Sequence, residues 1–201
     1  MAAPSKTQGI AVLAHTAITH PDTLVGSSQD VTTKTGGSIL LYHASVEATA
    51  NTNPGRFIIQ TSGSASGNED WVDEYEALAD EGTADTEAMT ATEPAGETVL
   101  AVSSTAGFAA VDKLYIQDTG TVADSEWGKC KEIVANTSID LVDGLTNAKD
   151  SSDVVWNNAD TWNIPVDFTG AGRVRVLFMH EGATGANCHV KALMVTTDSF
   201  A

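Results

Sequence analysis

Basic residues are scarce in this sequence. Lys and Arg together number 10 against 27 Asp and Glu, a formal net charge of -17 over 201 residues. Such a surface repels nucleic acid phosphates and anionic membranes, so neither is an expected partner. Cysteine is nearly absent too. Cys130 and Cys188 stand far apart with no CxxC spacing, which argues against a zinc site and against a disulfide framework. Both fall in strand-like runs and are expected as buried thiols. No long apolar stretch occurs, and "MAAPSKTQGIAVLAH" has no apolar core ahead of a cleavage site. Neither a signal peptide nor a membrane span is expected, and synthesis in a cytoplasm is.

Catalytic signatures are missing as well. In "GSASG", 63–67, the central residue is Ala65, so the stretch is no nucleophile elbow. There is no GxxxxGK[ST] loop and no GxGxxG fingerprint. Ser, His and Asp are all present without local context to join them. No catalytic or cofactor-binding residue is assigned, and no cofactor is expected.

What remains is 42% apolar residues, only 18% charged ones, and abundant Gly, Ser, Thr and Ala. That mixture suits strands joined by many turns, in a chain long enough for a proper core. Alternating or apolar runs lie at 9–15, 28–35, 38–48, 56–62, 87–92, 98–103, 113–118, 128–135, 138–142, 153–157, 162–168, 172–180 and 186–197. In "SILLYHASV", Ile39, Leu41, His43 and Ser45 oppose Leu40, Tyr42, Ala44 and Val46. The runs "GRVRVLFMH" and "NCHVKALMV", joined by "GATGAN", read as a hairpin. Val174, Val176 and Phe178 form an apolar face opposite Arg173, Arg175 and Leu177. One stretch, "NEDWVDEYEALADEG" at 68–82, has a helical spacing of Trp71, Tyr75 and Leu78; an acidic loop pinned by Trp71 explains it equally. Residues 80–97 are poor in large apolar side chains and read as a linker ending at Pro94 and Gly96.

The expected fold is all-β: a β-sandwich built discontinuously from 1–93 and 158–201, with a small β-barrel-like module inserted at 96–157. Residues 1–9 have no large apolar side chain beyond Met1 and read as an arm.

Two groups of side chains have ligand character. His180, Glu181 and His189 flank the last loop and could meet around a metal. Asp118, Asp124 and Glu126 crowd the loop "DTGTVADSEW" and could hold calcium, although the order of an EF-hand loop is absent. Ordinary strand ends and a solvated acidic turn explain both, and no metal-binding residue is assigned. "NTS" at 136–138 matches a glycosylation sequon but has no relevance to a cytoplasmic chain.

The segment "TVLAVSSTAGFAAVDKLYIQD" followed by "SEWGKCKEIVANTSIDLVDGLTNAKDSSDVVW" resembles a module of tailed-phage virion proteins. The matching residues are Ser104, Thr105, Gly107, Phe108 and Asp112; Ser125, Glu126 and Ile133; Asn136, Thr137, Ile139 and Leu141; and Leu145, Thr146, Asn147 and Ala148. The module's usual His after Leu-Thr-Asn-Ala is Lys149 here. The resemblance implies that Phe108 plugs a small barrel, that Gly107 makes a sharp turn and that Asp112 caps backbone N–H groups. It covers roughly a third of the chain. The flanking "SILLYHASVEATANTNPGRFIIQTSG" with the C-terminal strands is similar to the sandwich of phage capsid decoration (cement) proteins.

This resemblance implies a non-enzymatic virion component on the outer capsid surface. Its partner would be the major capsid protein, and it would itself form a dimer or trimer. Two alternatives stand beside it: a tail or head–tail accessory protein, and a carbohydrate-binding module for host adsorption. The second would need an exposed aromatic among Trp71, Trp127, Trp156 and Trp162.

Overall fold

A computed structural model describes residues 6–19, 22–47, 55–67, 70–79, 84–181 and 187–198. The strands are β1 (Lys6–Thr19), β2 (Thr23–Val25), β3 (Gln29–Asp30), β4 (Lys34–Ser45), β5 (Arg56–Ser62), β6 (Trp71–Leu78), β7 (Thr86–Ala88), β8 (Val99–Ala101), β9 (Lys113–Gln117), β10 (Glu126–Val134), β11 (Ser138–Leu141), β12 (Val154–Trp156), β13 (Ala159–Asp167), β14 (Arg173–Met179) and β15 (Asn187–Asp198). A single 3-10 turn, Val122–Asp124, is the one helical element among the described residues. The fold is all-β, and every strand pairing described is antiparallel.

Three sheets result. One has the order β1-β15-β4-β13, a second β2-β14-β5-β6, and a third β7-β12-β9-β10-β11-β8. The first two face each other across one core. Ile39, Leu41, Cys188, Val190, Ala192 and Met194 point in from the four-stranded sheet; Phe57, Ile59, Val174, Val176 and Phe178 meet them from the other. The alternation read from the sequence is the cause, since successive strand side chains point to opposite faces. Along β14, the apolar Val174, Val176 and Phe178 are buried, while Arg173, Arg175 and Leu177 are only half-buried on the outer face.

The final two strands are not a hairpin. Strand β14 pairs with β2, β3 and β5, whereas β15 pairs with β1 and β4 in the opposite sheet. Two strands that each carry a complete apolar face can bury both by facing one another across a core. Pairing edge to edge would bury only one side of a single sheet.

The helical spacing at 68–82 is overridden as well. Trp71–Leu78 is an edge strand on β5, with a register shift between Ile59 and Gln60 that leaves Glu74 as an extra residue. Its acids bond along the strand pair: Asp73 accepts from Gln60 at 2.6 Å and Glu74 from Thr61 at 2.8 Å. The apparent linker also contributes structure, because Thr86–Ala88 pairs with β12. The third sheet thus draws its first strand from upstream of Gly96. Of the expected N-terminal arm, Lys6–Gly9 is already part of β1, whose ladder begins at Lys6 opposite Thr197. Residues 1–5 lie outside the described residues.

The third sheet curls on itself. A bridge between Met89 and Val102 brings the ends of its first and last strands together. Inside lie Met89, Leu100, Val102, Phe108, Leu114, Ile116, Cys130, Ile139, Leu141, Leu145 and Val155. A barrel-like closure suits so small a sheet, because it hides edges that would otherwise be open for pairing.

Candidate functional site

The stretch 104–118 builds one end of this barrel. The amide of Phe108 donates to the Thr105 carbonyl at 3.2 Å, and the Thr105 hydroxyl oxygen accepts from the Asn136 amide at 3.1 Å. Gly107 has φ 84°, and a Cβ there would lie 2.2 Å from the Asp85 carboxyl carbon. Only glycine fits both demands. Phe108 is buried in the barrel core. The Asp112 carboxylate accepts from the Ala109 amide at 2.7 Å, closing the turn before β9 begins. Within β9, Leu114 and Ile116 enter the barrel core. Tyr115 on the opposite face is equally buried, because that face is pressed onto the outer side of the four-stranded sheet.

The acidic loop that follows is tied up in its own bonds. One Asp118 carboxylate oxygen accepts from the amides of Gly120 at 2.9 Å and Thr121 at 2.6 Å. Glu126 accepts from the amides of Thr146 at 2.7 Å and Asn147 at 3.3 Å. It also pairs at 2.9 Å with the ammonium of Lys149, which is 1% exposed. Lys149 donates further to the carbonyls of Asp124 at 2.8 Å and Asn147 at 3.3 Å. Glu126, Thr146, Asn147, Lys149 and the Asp124 carbonyl thus form one knot across the barrel wall. A buried charge needs such complete satisfaction. The three carboxylates expected near a calcium ion do not converge, and no group of three or more His, Cys, Asp or Glu residues is placed to hold a metal among the described residues.

His189 is likewise apart from His180 and Glu181, which follow a strand of the opposite sheet. His180 ends β14, where its amide donates to the Asp22 carbonyl at 3.0 Å. Glu181 pairs with Arg56 at 3.0 Å. His189 lies on the outer face of the other sheet, with its ring 4.9 Å from Tyr115 and 5.6 Å from His15. The crossover from β14 to β15 separates residues that the hairpin reading would have joined.

The structure gathers a different cluster where the barrel sits on the sandwich. His15, His189 and Tyr42 come from the four-stranded sheet; Tyr115, Trp127 and Trp156 come from the barrel. The Tyr115 hydroxyl lies 3.1 Å from Nε2 of His15. The Trp127 indole donates to the His43 carbonyl at 2.9 Å. Burial pushes His189 down to about 4. It does the same to His15, also to about 4, with His189 and then Lys191 adding to the effect. Burial pushes the Tyr115 hydroxyl up. Sequence reasoning missed this cluster, because its members lie on six different strands, β1, β4, β9, β10, β12 and β15. The one local sign was Tyr115 among polar neighbours on an otherwise outward face.

All four indoles are engaged. Trp71 lies beneath the guanidinium groups of Arg175, at 4.1 Å, and Arg173, at 5.2 Å. Trp127 packs against Tyr115 at 4.8 Å, His15 at 4.9 Å and Tyr42 at 5.3 Å. Trp156 donates to Gln117 at 2.9 Å, and Trp162 packs on Phe57 at 5.9 Å. Cys130 and Cys188 are both free thiols and buried.

No protein-family model matches this chain, and no curated protein is similar to it. One solved structure, VP17, a capsid protein of bacteriophage P23-77, aligns over 96% of this chain and 92% of its own at 8% identity. The TM-score of 0.17 is too low for that superposition to carry any argument.

Proposed function

We propose that this chain is a non-enzymatic structural component of a tailed-phage virion, and within that class a capsid decoration protein on the outer shell. One observation carries the reading. Residues that bear the resemblance to the phage virion module are spent on scaffold: Phe108 in the core, Gly107 and Asp112 in the turn, Glu126 with Thr146 and Asn147 in the knot. A module whose motif is its own framework suits a part that offers surface rather than chemistry. The acidic surface supports a partner other than nucleic acid. The engaged indoles weigh against sugar stacking, and so against the host-adsorption alternative.

The partner in this reading is the major capsid protein, and the protein acts as a dimer or trimer. Each copy adds a modest contact, and many copies on one shell add up through multivalency. The test is cosedimentation of the purified protein with assembled capsids that lack it. Decorated shells should withstand higher temperature than bare ones. Protein found only on tails, or bound to glycans and not to shells, would overturn the assignment.

A further inference from the structure

We propose that the seam between the barrel and the sandwich is an acid-released joint, in which protonation of His15 and His189 frees the barrel to swing away while both units stay folded. This holds whatever partner the protein has.

The seam is small and mostly aromatic. Tyr115, Ala44 and Ala159 are buried in it, with Val46, Trp127 and Trp156 packed around them. Each unit keeps its own separate core. Opening the seam therefore exposes one small cluster and neither main core. The chain passes between the units at 84–86 and again at 156–159, so a released barrel remains tethered.

Two imidazoles lie inside this joint with their ring centroids 5.6 Å apart. Nδ1 of each is buried with no hydrogen-bond partner. The charged neighbours offer no remedy. Lys191 on β15 adds positive charge. Tyr42 on β4 and Tyr115 on β9 are neutral phenols. The barrel's acids nearby are already engaged: Asp118 caps its own turn and Glu126 pairs with Lys149. Asp124 belongs to the 3-10 turn that packs on β1. Neither imidazole forms an ion pair with a carboxylate among the described residues. Two cations at that spacing, beside a lysine, with His189 buried and His15 half-buried, favour whichever state lets more water in.

The sign follows from linkage. An exposed imidazole titrates near 6.5, whereas in the closed seam both titrate near 4. As pH falls below 6.5 the open state takes up protons first, so the closed state loses ground. Below about 4 the closed seam protonates too, and the loss levels off.

The experiment is an acid titration of the full chain, with tryptophan emission and near-ultraviolet circular dichroism reporting the seam and far-ultraviolet dichroism reporting the strands. The indole of Trp127 lies 4.9 Å from the His15 ring and is the natural reporter. In the parent, the seam signals should change between pH 6.5 and 4 while the strand signal persists. In the double variant H15Q/H189Q that phase should vanish or move down by about one pH unit or more. An unmoved midpoint, or simultaneous loss of strand signal in the parent, would overturn the proposal. Should the variant not fold, the imidazole proton shifts of the parent decide. Titration of both rings between 6.5 and 4, in step with the change in indole emission, supports the joint; rings that titrate near 4 with the indole signal unmoved, or near 6.5 in the closed protein, refute it.

Discussion

Replacing Lys149 by Met tests whether the phage-type motif is a scaffold. The substitution keeps most of the buried volume and removes the ammonium. Three oxygens each lose one donor: the Glu126 carboxylate at 2.9 Å, the Asp124 carbonyl at 2.8 Å and the Asn147 carbonyl at 3.3 Å. Breaking a buried ion pair by removing one partner typically costs about 3–5 kcal/mol. Glu126 keeps the amides of Thr146 and Asn147, and its side chain is 15% exposed, so the lower end applies. A loss of about 3 kcal/mol in a unit of this size lowers its melting temperature by roughly 12–24 °C. Calorimetry of Lys149→Met should therefore show the barrel melting early and the sandwich transition in place. Adding Glu126→Gln should recover part of the loss, because the orphaned charge goes with it, and a double-mutant cycle measures that coupling. A single variant within about 0.5 kcal/mol of the parent would refute the reasoning, since that is the range of ordinary surface substitutions.

Phe108→Ala removes a buried ring from the barrel core and should cost about 3–5 kcal/mol in the same transition; melting identical to the parent would show that the ring is not in the core. Val111 holds φ 75° while 70% exposed, so Val111→Gly should relieve left-handed strain and stabilise the barrel by on the order of 1 kcal/mol, seen as a raised melting temperature of that transition. Both thiols are buried and pushed up by that burial, Cys188 furthest, so a thiol reagent should label neither in the folded protein; labelling of Cys188 ahead of unfolding would contradict its place in the core.

Much of the fold was legible in the chain. The period of two along 38–46 and 173–178 dictated strands with one apolar face, because a pleated backbone sends alternate side chains to opposite sides. The turn at Gly107 and the cap at Asp112 were expected from the resemblance to the phage module; the cap closes over three residues, whereas the crowding of Gly107 by Asp85 is a tertiary contact. Trp71–Leu78 was not, since its helical spacing is a weak local preference that pairing with β5 overrides.

By itself, then, the sequence determined the all-β class, the inward face of most strands and the two buried thiols. These follow from local periodicity and composition. Tertiary structure alone decided which sheet each strand joins, that β14 and β15 face each other instead of pairing, and that His15 and His189 share one buried seam. Strand partners are chosen by burying complementary faces between segments far apart in the chain, and local spacing carries no record of that choice. For the same reason nothing in the run 113–118 shows that the four-stranded sheet closes over Tyr115.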